Sequence, residues 1–579
     1  MLLFIIILIG AFLRFYNLLW GDGNFFHPDE NNMAHSISQM SQQNSLHPNF
    51  FAYGQLPLYF AYFLAQVIYA VTSLFNPTST GHFPFFPVLY KDGVFGLRVL
   101  AALTSTLTIP LVYLLIKEFF NTTDHKNTKA LWYALIGSSL VAFLPGLIQS
   151  AHFGTTESLL TFFFVGITYL SVRLLRIKKY IFWHSLAIGI LIGLALGTKI
   201  TAAFFLVPPF LAILLQSNHH SSLFRTILGK IMMILFILCT ASLFFSLSSP
   251  YSVLDWTHFY STSRYESEVA TGAIPVFYTR QFTGTTPTVF QLTHIFPYVL
   301  GVGLLVTSIV SFFILPVLIS KDPNKLLWKQ WVVMTVSFLF LLIGNSFLYV
   351  KWTRFVTPLL PFFAVYTAVT FYLLEIRVKH TAVIQRFLVG LLVLTSANGL
   401  YFFSIYVRPD IRTSASQWIY ESIPQKSYVL SETGNVVDIP LEMKGPGKDE
   451  LKNTGTYGYQ VISFDFYHLD QDKLQDNLIN HLVEADYIFM PSRRIFYNYT
   501  RFPEKFPILN AYYAGLLNGK LGFTKVSEFN SFPFLSDEPA EETWTVFDHP
   551  VIRIFKKSEE HDKLYYQNLL GIGEVDAQE

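Results

Sequence analysis

The chain has 579 residues, of which 52% are apolar and only 13% are charged; ordinary soluble domains carry roughly 25% charged residues. Its mean hydropathy is +0.41, which predicts an integral membrane protein with a smaller soluble part. The net charge of +2 gives no indication of a nucleic-acid partner, because the basic residues are spread among short loops. Cys239 is the only cysteine, which excludes a disulfide within the chain.

Eleven apolar segments of the first 407 residues approach the length of roughly 20 residues that crosses a bilayer. They are 1–19, 94–116, 130–150, 155–172, 184–199, 200–216, 230–249, 293–318, 331–350, 355–375 and 387–407. The first has no basic n-region and no small-residue cleavage site, so it is predicted to be a retained span. Another apolar run, 55–75, would invert every later loop if it crossed. It is predicted to lie in the outer interface or to dip into the membrane, with a true span as the alternative.

Basic residues predict the orientation of these spans. Fifteen Lys and Arg residues fall in one set of loops, at 117–129, 173–179, 225–230, 321–329 and 377–386. Eight fall in the other set or at its span ends: Arg14, Lys91, Arg98, Lys199, Arg264, Arg280, Lys351 and Arg354. The richer set is predicted to face the cytoplasm. The loops 20–93 and 250–292 and the C-terminal tail then lie outside the cell membrane.

The composition changes after Val407, where charges become frequent and apolar runs shorten. Tyr428 to Leu430 and Tyr487 to Met490 are predicted strands, and Lys473 to Ala485 is a predicted helix between them. Thr543 to Lys556 is predicted to be a closing hairpin that turns at Asp548-His549-Pro550. The predicted fold is therefore a polytopic α-helical membrane module, 1–407, followed by an extracytoplasmic α/β domain, 408–579.

Two adjacent carboxylates follow the first span in His27-Pro28-Asp29-Glu30, within a stretch from Gly21 to Tyr90 that has no Lys or Arg. A carboxylate beside an acceptor hydroxyl can take its proton as a new bond forms. A neighbouring carboxylate can orient the acceptor or raise the pKa of the first by repulsion. A compatible alternative is a helix start, with Pro28 in its first turn and acids favoured by the helix dipole.

A third carboxylate, Glu157, is predicted at the outer junction of spans three and four. A charge at the edge of a span is costly unless it is paired or lines a wet cavity. His152 is a candidate partner for Glu157. The alternative is an acid at a helix start that follows a Thr cap.

Five basic side chains are predicted near the outer membrane boundary: Arg14, Arg98, Lys199, Lys351 and Arg354. At this depth Lys offers a phosphate headgroup a point charge, and Arg offers it a planar fork. The alternative is that these side chains reach lipid phosphates. For Arg14, an ion pair with Asp29 or Glu30 is a further alternative.

Other chemistries find little support. The sequence has no GxxxxGK[ST] phosphate loop, no HExxH and no cysteine pair, and His47-Pro48 and His219-His220 lack the spacing of metal ligands. No metal site is therefore predicted. The loop 250–292 is mixed in charge and rich in aromatics, which suits sugar contact, although most of its charged residues are expected to be solvated.

The order of several short motifs resembles that of polyprenyl-phosphate-sugar-dependent glycosyltransferases of the GT-C superfamily, in the branch of protein O-mannosyltransferases and aminoarabinose transferases. The motifs are Arg14-Phe15, His27-Pro28-Asp29-Glu30, Gly54-Gln55-Leu56-Pro57-Leu58-Tyr59, Gly96-Leu97-Arg98, His152 to Glu157, Gly197-Thr198-Lys199, and Lys351 to Arg354 followed by Pro358 and Pro361. The tail, from Ala415 to Val551, resembles that of bacterial members of the family-39 type. The long luminal β-trefoil insertion of the eukaryotic mannosyltransferases is missing.

The resemblance implies an inverting glycosyltransferase that moves one sugar from a polyprenyl-phosphate donor to an acceptor hydroxyl outside the membrane. It implies Asp29 as the base, with Glu30 and Glu157 beside the acceptor or donor. Lys199, Lys351 and Arg354 would hold the departing phosphate. Because a lipid phosphate already leaves as a stabilised anion, a divalent metal is possible but not required. Two alternatives stay open. One is the transfer of a whole oligosaccharide or polymer, and the other is transport of a lipid-linked sugar, although the paired broken halves typical of transporters are not apparent.

Overall fold

The computed structural model describes residues 1–75, 85–120, 128–177, 179–216, 223–321, 325–378, 381–432, 438–441, 458–470 and 474–572. The helices of the first part of the chain are α1 (Leu2–Phe15), α2 (Pro28–Gln42), α3 (Leu56–Phe75), α4 (Tyr90–Phe119), α5 (Thr128–Ala142), α6 (Pro145–His152), α7 (Glu157–Leu174), α8 (Ile181–Leu196), α9 (Val207–Leu215), α10 (Leu223–Ser248), α11 (Tyr251–Leu254) and α12 (Trp256–Thr271). They continue with α13 (Val289–His294), α14 (Phe296–Leu300), α15 (Val302–Ser320), α16 (Lys325–Ser346), α17 (Thr353–Val356), α18 (Leu360–Glu375) and α19 (Thr381–Val407).

The C-terminal part contains helices and strands. Its helices are α20 (Ile411–Ser422), α21 (Gln475–Glu484), α22 (Arg494–Tyr499), α23 (Pro507–Leu517), α24 (Glu542–Val546) and α25 (Lys563–Leu570). Its strands are β1 (Tyr428–Glu432), β2 (Gln460–Phe464), β3 (Tyr487–Met490), β4 (Phe523–Phe529) and β5 (Ile552–Lys557). Short 3₁₀ helices lie at Ile200–Leu206, Phe277–Phe282 and Thr357–Leu359.

The chain divides into two compact units. Unit 1 contains Met1–Leu18, Pro28–Thr271 and Thr286–Ser404, and unit 2 contains Leu19–His27, Gly272–Thr285 and Ile405–Glu579. The main change of unit therefore falls close to residue 407, where the composition changes. Two short segments of the predicted outer loops belong to unit 2 as well.

The membrane character of unit 1 is confirmed. Within the described residues, eight helices are long and apolar enough to cross a membrane, and α5 with α6 forms a ninth candidate bent by 53°. Three shorter apolar segments, Leu2–Phe15, Ile181–Leu196 and Ile200–Leu215, coincide with further predicted spans. Each of the eleven predicted spans thus overlaps one of these helices or pairs.

Helix α3 also has the length and composition of a span, but its contacts favour the interface. At its start, the amide of Leu56 donates to the carbonyl of Gly197 over 3.0 Å. Further along, the Tyr69 hydroxyl donates to Asp92 over 2.7 Å, at the first turn of α4. Between Asp92 and Gly197 the chain would cross the membrane four times, through α4, through α5 with α6, through α7 and through α8. Four crossings bring the chain back to the side of the membrane on which it started. On that path both halves of α3 contact the same side, which favours the interfacial position. That position stays a prediction, because α3 also has the length and composition of a span.

Unit 2 contains a five-stranded sheet in the order β2-β1-β3-β5-β4. Strands β2, β1 and β3 are parallel, whereas β5 is antiparallel to both β3 and β4. The predicted strands at Tyr428 and Tyr487 are confirmed, and so is the helix between them, which spans Gln475–Glu484. This sheet confirms the predicted α/β fold of the C-terminal part.

The predicted hairpin between Thr543 and Lys556 is wrong. The Glu541 side chain accepts a hydrogen bond from the amide of Thr543 over 3.0 Å and caps the short helix α24. Only the second half of the segment is a strand, and its partners are β3 and β4. The predicted helix start at Lys473 lies outside the described residues, as do three basic residues used for orientation, Lys126, Lys178 and Lys379.

Candidate functional site

Asp29 lies in the first turn of α2, directly after Pro28, as the helix-start pattern predicts. The Tyr53 hydroxyl donates to its Oδ2 over 2.8 Å. Arg354 forms an ion pair with the same oxygen and also donates to the Tyr53 hydroxyl over 3.2 Å. The Asp29 and Arg354 side chains are 24% and 26% exposed, so this pair is reachable from solvent. The guanidinium beside Asp29 stabilises the ionised carboxylate that a base requires.

Tyr53 and Arg354 both line a cavity of about 420 Å³ in unit 1. The other polar side chains at its wall include Glu157, Lys199, Glu266 and Asn345. Most of the remaining wall is apolar or aromatic, and its residues include Leu160, Leu196, Phe204, Phe205, Phe259, Leu341, Leu348, Trp352, Phe355 and Pro358. An apolar cavity with a few convergent polar groups is the usual form of a small-molecule site.

Two cations flank the cavity beside aromatic rings. The amino group of Lys199 lies 5.0 Å from the ring centre of Tyr53 and 5.3 Å from that of Phe355. The guanidinium of Arg354 lies 4.3 Å from the ring centre of Trp352. These distances are typical of cation–π contacts.

A close backbone contact brings two of the predicted motifs together at this wall. The amide of Gly54 donates to the carbonyl of Thr198 over 2.9 Å. A Cβ atom at Gly54 would lie 2.1 Å from the carbonyl oxygen of Gly197, so a larger residue would force the two segments apart. This contact fixes Tyr53, which precedes Gly54, against Lys199, which follows Thr198.

Glu157 begins α7 and is 5% exposed, and it accepts a hydrogen bond from the Thr156 hydroxyl over 3.3 Å. Glu157 therefore lies both at the start of a helix and at the wall of the cavity, so the two alternatives drawn from the sequence are compatible. His152, its suggested partner, contacts backbone. Its two ring nitrogens lie 2.8 Å from the carbonyl of Ile148 and 3.0 Å from that of Tyr16.

Glu30 and Arg98 are paired with one another and fully buried. The guanidinium donates to both carboxylate oxygens, over 2.8 and 2.7 Å, and also to the carbonyl of Leu18 over 2.6 Å. The same carboxylate accepts from the amide of Gly154 over 2.6 Å. Neither side chain is among those that line the cavity. The pair joins α2 to α4 and to the chain before α7, directly behind Asp29.

Lys351 and Arg14 differ from their sequence-based expectations. Lys351 is 4% exposed, is not among the cavity-lining residues, and donates to the carbonyl of Tyr349 over 3.1 Å. Burial lowers the pKa of its amino group. Arg14 hydrogen-bonds to Ser105 and to the carbonyls of Gly10, Val141 and Ala142. The suggested ion pair of Arg14 with Asp29 or Glu30 is therefore wrong, because backbone carbonyls at the α5–α6 bend take its N–H groups.

Sequence reasoning missed Tyr53 and Asn345, and it assigned Glu266 only to a mostly solvated loop. Tyr53 directly precedes the Gly54 motif, and this position in the sequence could have indicated that Tyr53 belongs to the site. Burial is the main reason that the pKa of its hydroxyl is raised well above 10, and Asp29 raises it further. Tyr53 therefore stays a donor to Asp29. In the described part of the chain, no group of three or more His, Cys, Asp or Glu residues is arranged to hold a metal ion.

Residues 84–245 match the family described as dolichyl-phosphate-mannose-protein mannosyltransferase. No curated protein matches the chain. Among solved structures, the apo oligosaccharyltransferase of Archaeoglobus fulgidus is 12% identical, with 96% of this chain and 88% of that chain covered and a TM-score of 0.45. The same archaeal enzyme, AglB, with an inhibitory peptide and dolichol-phosphate is 12% identical, with 88% and 72% covered and a TM-score of 0.45.

ArnT from Cupriavidus metallidurans bound to undecaprenyl phosphate is 11% identical, with 95% of this chain and 96% of that chain covered and a TM-score of 0.42. The family match supports the GT-C resemblance drawn from the motifs. It covers the part of the chain that contains Arg98, His152, Glu157 and Lys199, so over residues 84–245 the chain is similar to the dolichyl-phosphate-mannose-protein mannosyltransferases.

Proposed function

We propose that the protein is an inverting glycosyltransferase that moves a single sugar from a polyprenyl-phosphate donor to an acceptor hydroxyl. One observation carries this proposal. The carboxylate of Asp29 contacts Tyr53 and Arg354, and both of these residues line a largely apolar cavity. Lys199 and Glu157 line the same cavity. In this arrangement Asp29 would be the base, and Arg354 and Lys199 would be the cations that face the donor. The mannosyltransferase match over residues 84–245 supports the same reaction class.

In the proposed reaction, Asp29 accepts the proton of the acceptor hydroxyl. The acceptor oxygen forms a bond to the anomeric carbon as the bond from that carbon to the phosphate oxygen breaks. Attack from the face opposite the leaving group inverts the anomeric configuration. The bonding electron pair leaves with the lipid phosphate, and the proton remains on Asp29 until solvent removes it.

The departing lipid phosphate gains negative charge, which Lys199 and Arg354 are suited to stabilise. Arg354 is ion-paired with Asp29. A donor phosphate would share that guanidinium, and the Tyr53 hydroxyl would keep Asp29 oriented during the exchange. Because two fixed cations already face the site, the proposal requires no metal ion.

The size of the cavity favours a single sugar over an oligosaccharide. Ligand pockets for small molecules have volumes of about 300–1,000 Å³, and this cavity of about 420 Å³ is at the low end of that range. We take this volume as support for a site that holds one sugar ring with its phosphate. Transfer of a large lipid-linked glycan would need a wider opening.

We further propose that the cavity and unit 2 face the outside of the cell membrane. The 15-to-8 distribution of basic residues supports this orientation. The acceptor is proposed to be a glycan, lipid or protein hydroxyl on that side. Nucleic acid has no part in the proposal.

Comparison of the envelope glycans and glycolipids of host cells with and without the protein tests the proposed function. Mass spectrometry should find a species heavier by one sugar in cells that carry the wild-type chain and in cells that carry Asp92→Asn, but not in cells that carry Asp29→Asn. Asp92 is a matched control, because it also accepts from a tyrosine hydroxyl, over 2.7 Å, but its partner Tyr69 does not line the cavity, whereas Tyr53, the partner of Asp29, does. A mass difference of several sugars would indicate transfer of an oligosaccharide. An unchanged glycan profile would contradict the proposed glycosyltransferase activity.

A further inference from the structure

Helix α12 forms one wall of the cavity, and the residues that it contributes recur at helical spacing. Phe259, Ser263, Glu266, Ser267 and Ala270 all line the cavity. Intervals of three and four residues place these side chains on one face of the helix. The cavity therefore meets a face of α12 that carries two hydroxyls and one carboxylate.

Contacts near both ends of α12 fix this face within unit 1. Near the end of the helix, the carbonyl of Ala270 accepts from the amide of Val350 over 3.2 Å. The neighbouring Val269 is buried, and so is Phe259 near the start of the helix. Because both ends are held, the polar side chains between them have a defined position at the cavity wall.

The polar side chains on this face are available to a ligand. Within the ranges that the structure describes, no group hydrogen-bonds to the side-chain oxygens of Ser263, Glu266 or Ser267. Glu268 differs, because it does not line the cavity and its carboxylate pairs with Arg264 over 2.8 Å. A few polar groups on the wall of an apolar cavity usually fix the orientation of the molecule that binds there.

The position of Glu266 relative to the cations suits the sugar end of a donor. Its carboxylate lies within electrostatic range of Arg354 and Lys199, although no ion pair joins it to either of these two described side chains. The proposed function assigns both cations to the donor phosphate. A carboxylate repels a phosphate, so the group of the donor that Glu266 can bind is the sugar.

We propose that Glu266 binds the donor sugar and selects a neutral sugar with two adjacent free hydroxyls. An ionised carboxylate is an acceptor only, and its two oxygens can accept from two neighbouring hydroxyls. Ser263 and Ser267 can donate or accept at the same wall. A sugar that carries a carboxylate would be repelled by Glu266 and by Glu157. This inference rests on the proposed function, because it concerns the sugar of the same donor.

Lipid binding by the full-length protein tests this assignment. Wild-type, Glu266→Gln and Glu268→Gln chains in detergent are incubated with the polyprenyl-phosphate fraction of the host lipids, separated from acceptors by ion exchange. The retained lipids are quantified by mass spectrometry. The wild-type and Glu268→Gln chains should retain both a polyprenyl-phosphate monosaccharide and free polyprenyl phosphate. Glu266→Gln should retain as much free polyprenyl phosphate but roughly tenfold less of the sugar-carrying lipid, the loss expected when a hydrogen bond to a charged group is removed.

Four results would contradict this assignment. An unchanged ratio of the two lipids in Glu266→Gln would overturn the inference and leave the proposed function standing. An equal change of both lipids would also overturn it, because Glu266 would then act on the phosphate or on the fold. A retained sugar that carries a carboxylate would overturn the proposed sugar class. A wild-type chain that retains no polyprenyl-phosphate lipid would contradict the proposed function itself.

Discussion

The buried pair of Glu30 and Arg98 predicts a large and specific loss of stability when one partner is removed. Both side chains are 0% exposed, and two hydrogen bonds of 2.8 and 2.7 Å join them. Glu30→Gln leaves the guanidinium buried without its counter-charge. Breaking a buried pair in this way costs about 3–5 kcal/mol. We expect Glu30→Gln and Arg98→Met each to lower the free energy of unfolding by about that amount.

Replacing both partners should cost less than replacing either one. In Glu30→Met with Arg98→Met no buried charge remains, and apolar replacement of a buried pair is often neutral. The amide of Gly154 loses its acceptor, which costs about 1–3 kcal/mol. The double variant should therefore unfold between the wild-type chain and the single variants.

Equilibrium unfolding of the purified chains by SDS titration in mixed micelles measures these differences. Glu268→Gln serves as the control because its partner, Arg264, is 67% exposed, and pairs of that kind contribute little. Single variants as stable as the wild-type chain would refute the reasoning, and so would losses that simply add in the double variant.

Three further predictions concern the donor, the pH and the topology. Arg354→Gln should weaken polyprenyl-phosphate binding by about 1.5–3 kcal/mol, the usual range for a hydrogen bond to a charged group. Arg354→Lys should recover only part of this binding energy, because the planar guanidinium is lost. A titration of the wild-type chain and the two variants with polyprenyl phosphate in one detergent measures the difference. Two carboxylates beside His549 outweigh the effect of burial, and its pKa rises from 6.5 to about 10 on folding, so the protonated side chain stabilises the fold fully below pH 6.5, and this stabilisation is lost as the pH approaches 10. The unfolding temperature should therefore fall between pH 6.5 and pH 10. His549→Gln should make this fall of the unfolding temperature less steep. With Cys239 replaced, single cysteines at Ile177 and Ser463 should be labelled from opposite sides of intact cells, with Ser463 outside.

Each of these three has a result that contradicts it. Equal affinities of the Arg354 variants would remove this side chain from the donor site. A decline with pH that is identical in the His549 variant would assign it to other groups. Labelling of both cysteines from the same side would overturn the orientation drawn from the basic residues.

Much of the fold could be predicted from the sequence because its signals are local. The eleven apolar segments coincide with helices, since the length that crosses a bilayer is a property of each segment alone. The pairing of β5 with β3 and β4 could not be predicted, because it joins residues far apart in the chain. The hairpin prediction failed because the Glu541 side chain caps a helix there.

Part of the candidate site could be predicted because charges at membrane boundaries are costly and therefore conspicuous. Glu157, Lys199 and Arg354 were identified on that ground, and all three line the cavity. Neutral polar residues such as Tyr53 give no such signal. The sequence also could not distinguish a charge that faces the cavity from a charge that is paired behind it, as Arg98 is.

The most direct test of the central claim is the release of free polyprenyl phosphate by the purified protein. The protein in nanodiscs is incubated with the total lipid and envelope extract of its own host, which supplies donor and acceptor, and the released lipid phosphate is measured by mass spectrometry. The account predicts steady release by the wild-type chain and by Asp92→Asn, and a rate lower by roughly 10²–10⁴ for Asp29→Asn, the range for loss of a general base. Release by Asp29→Asn at the wild-type rate would contradict the account.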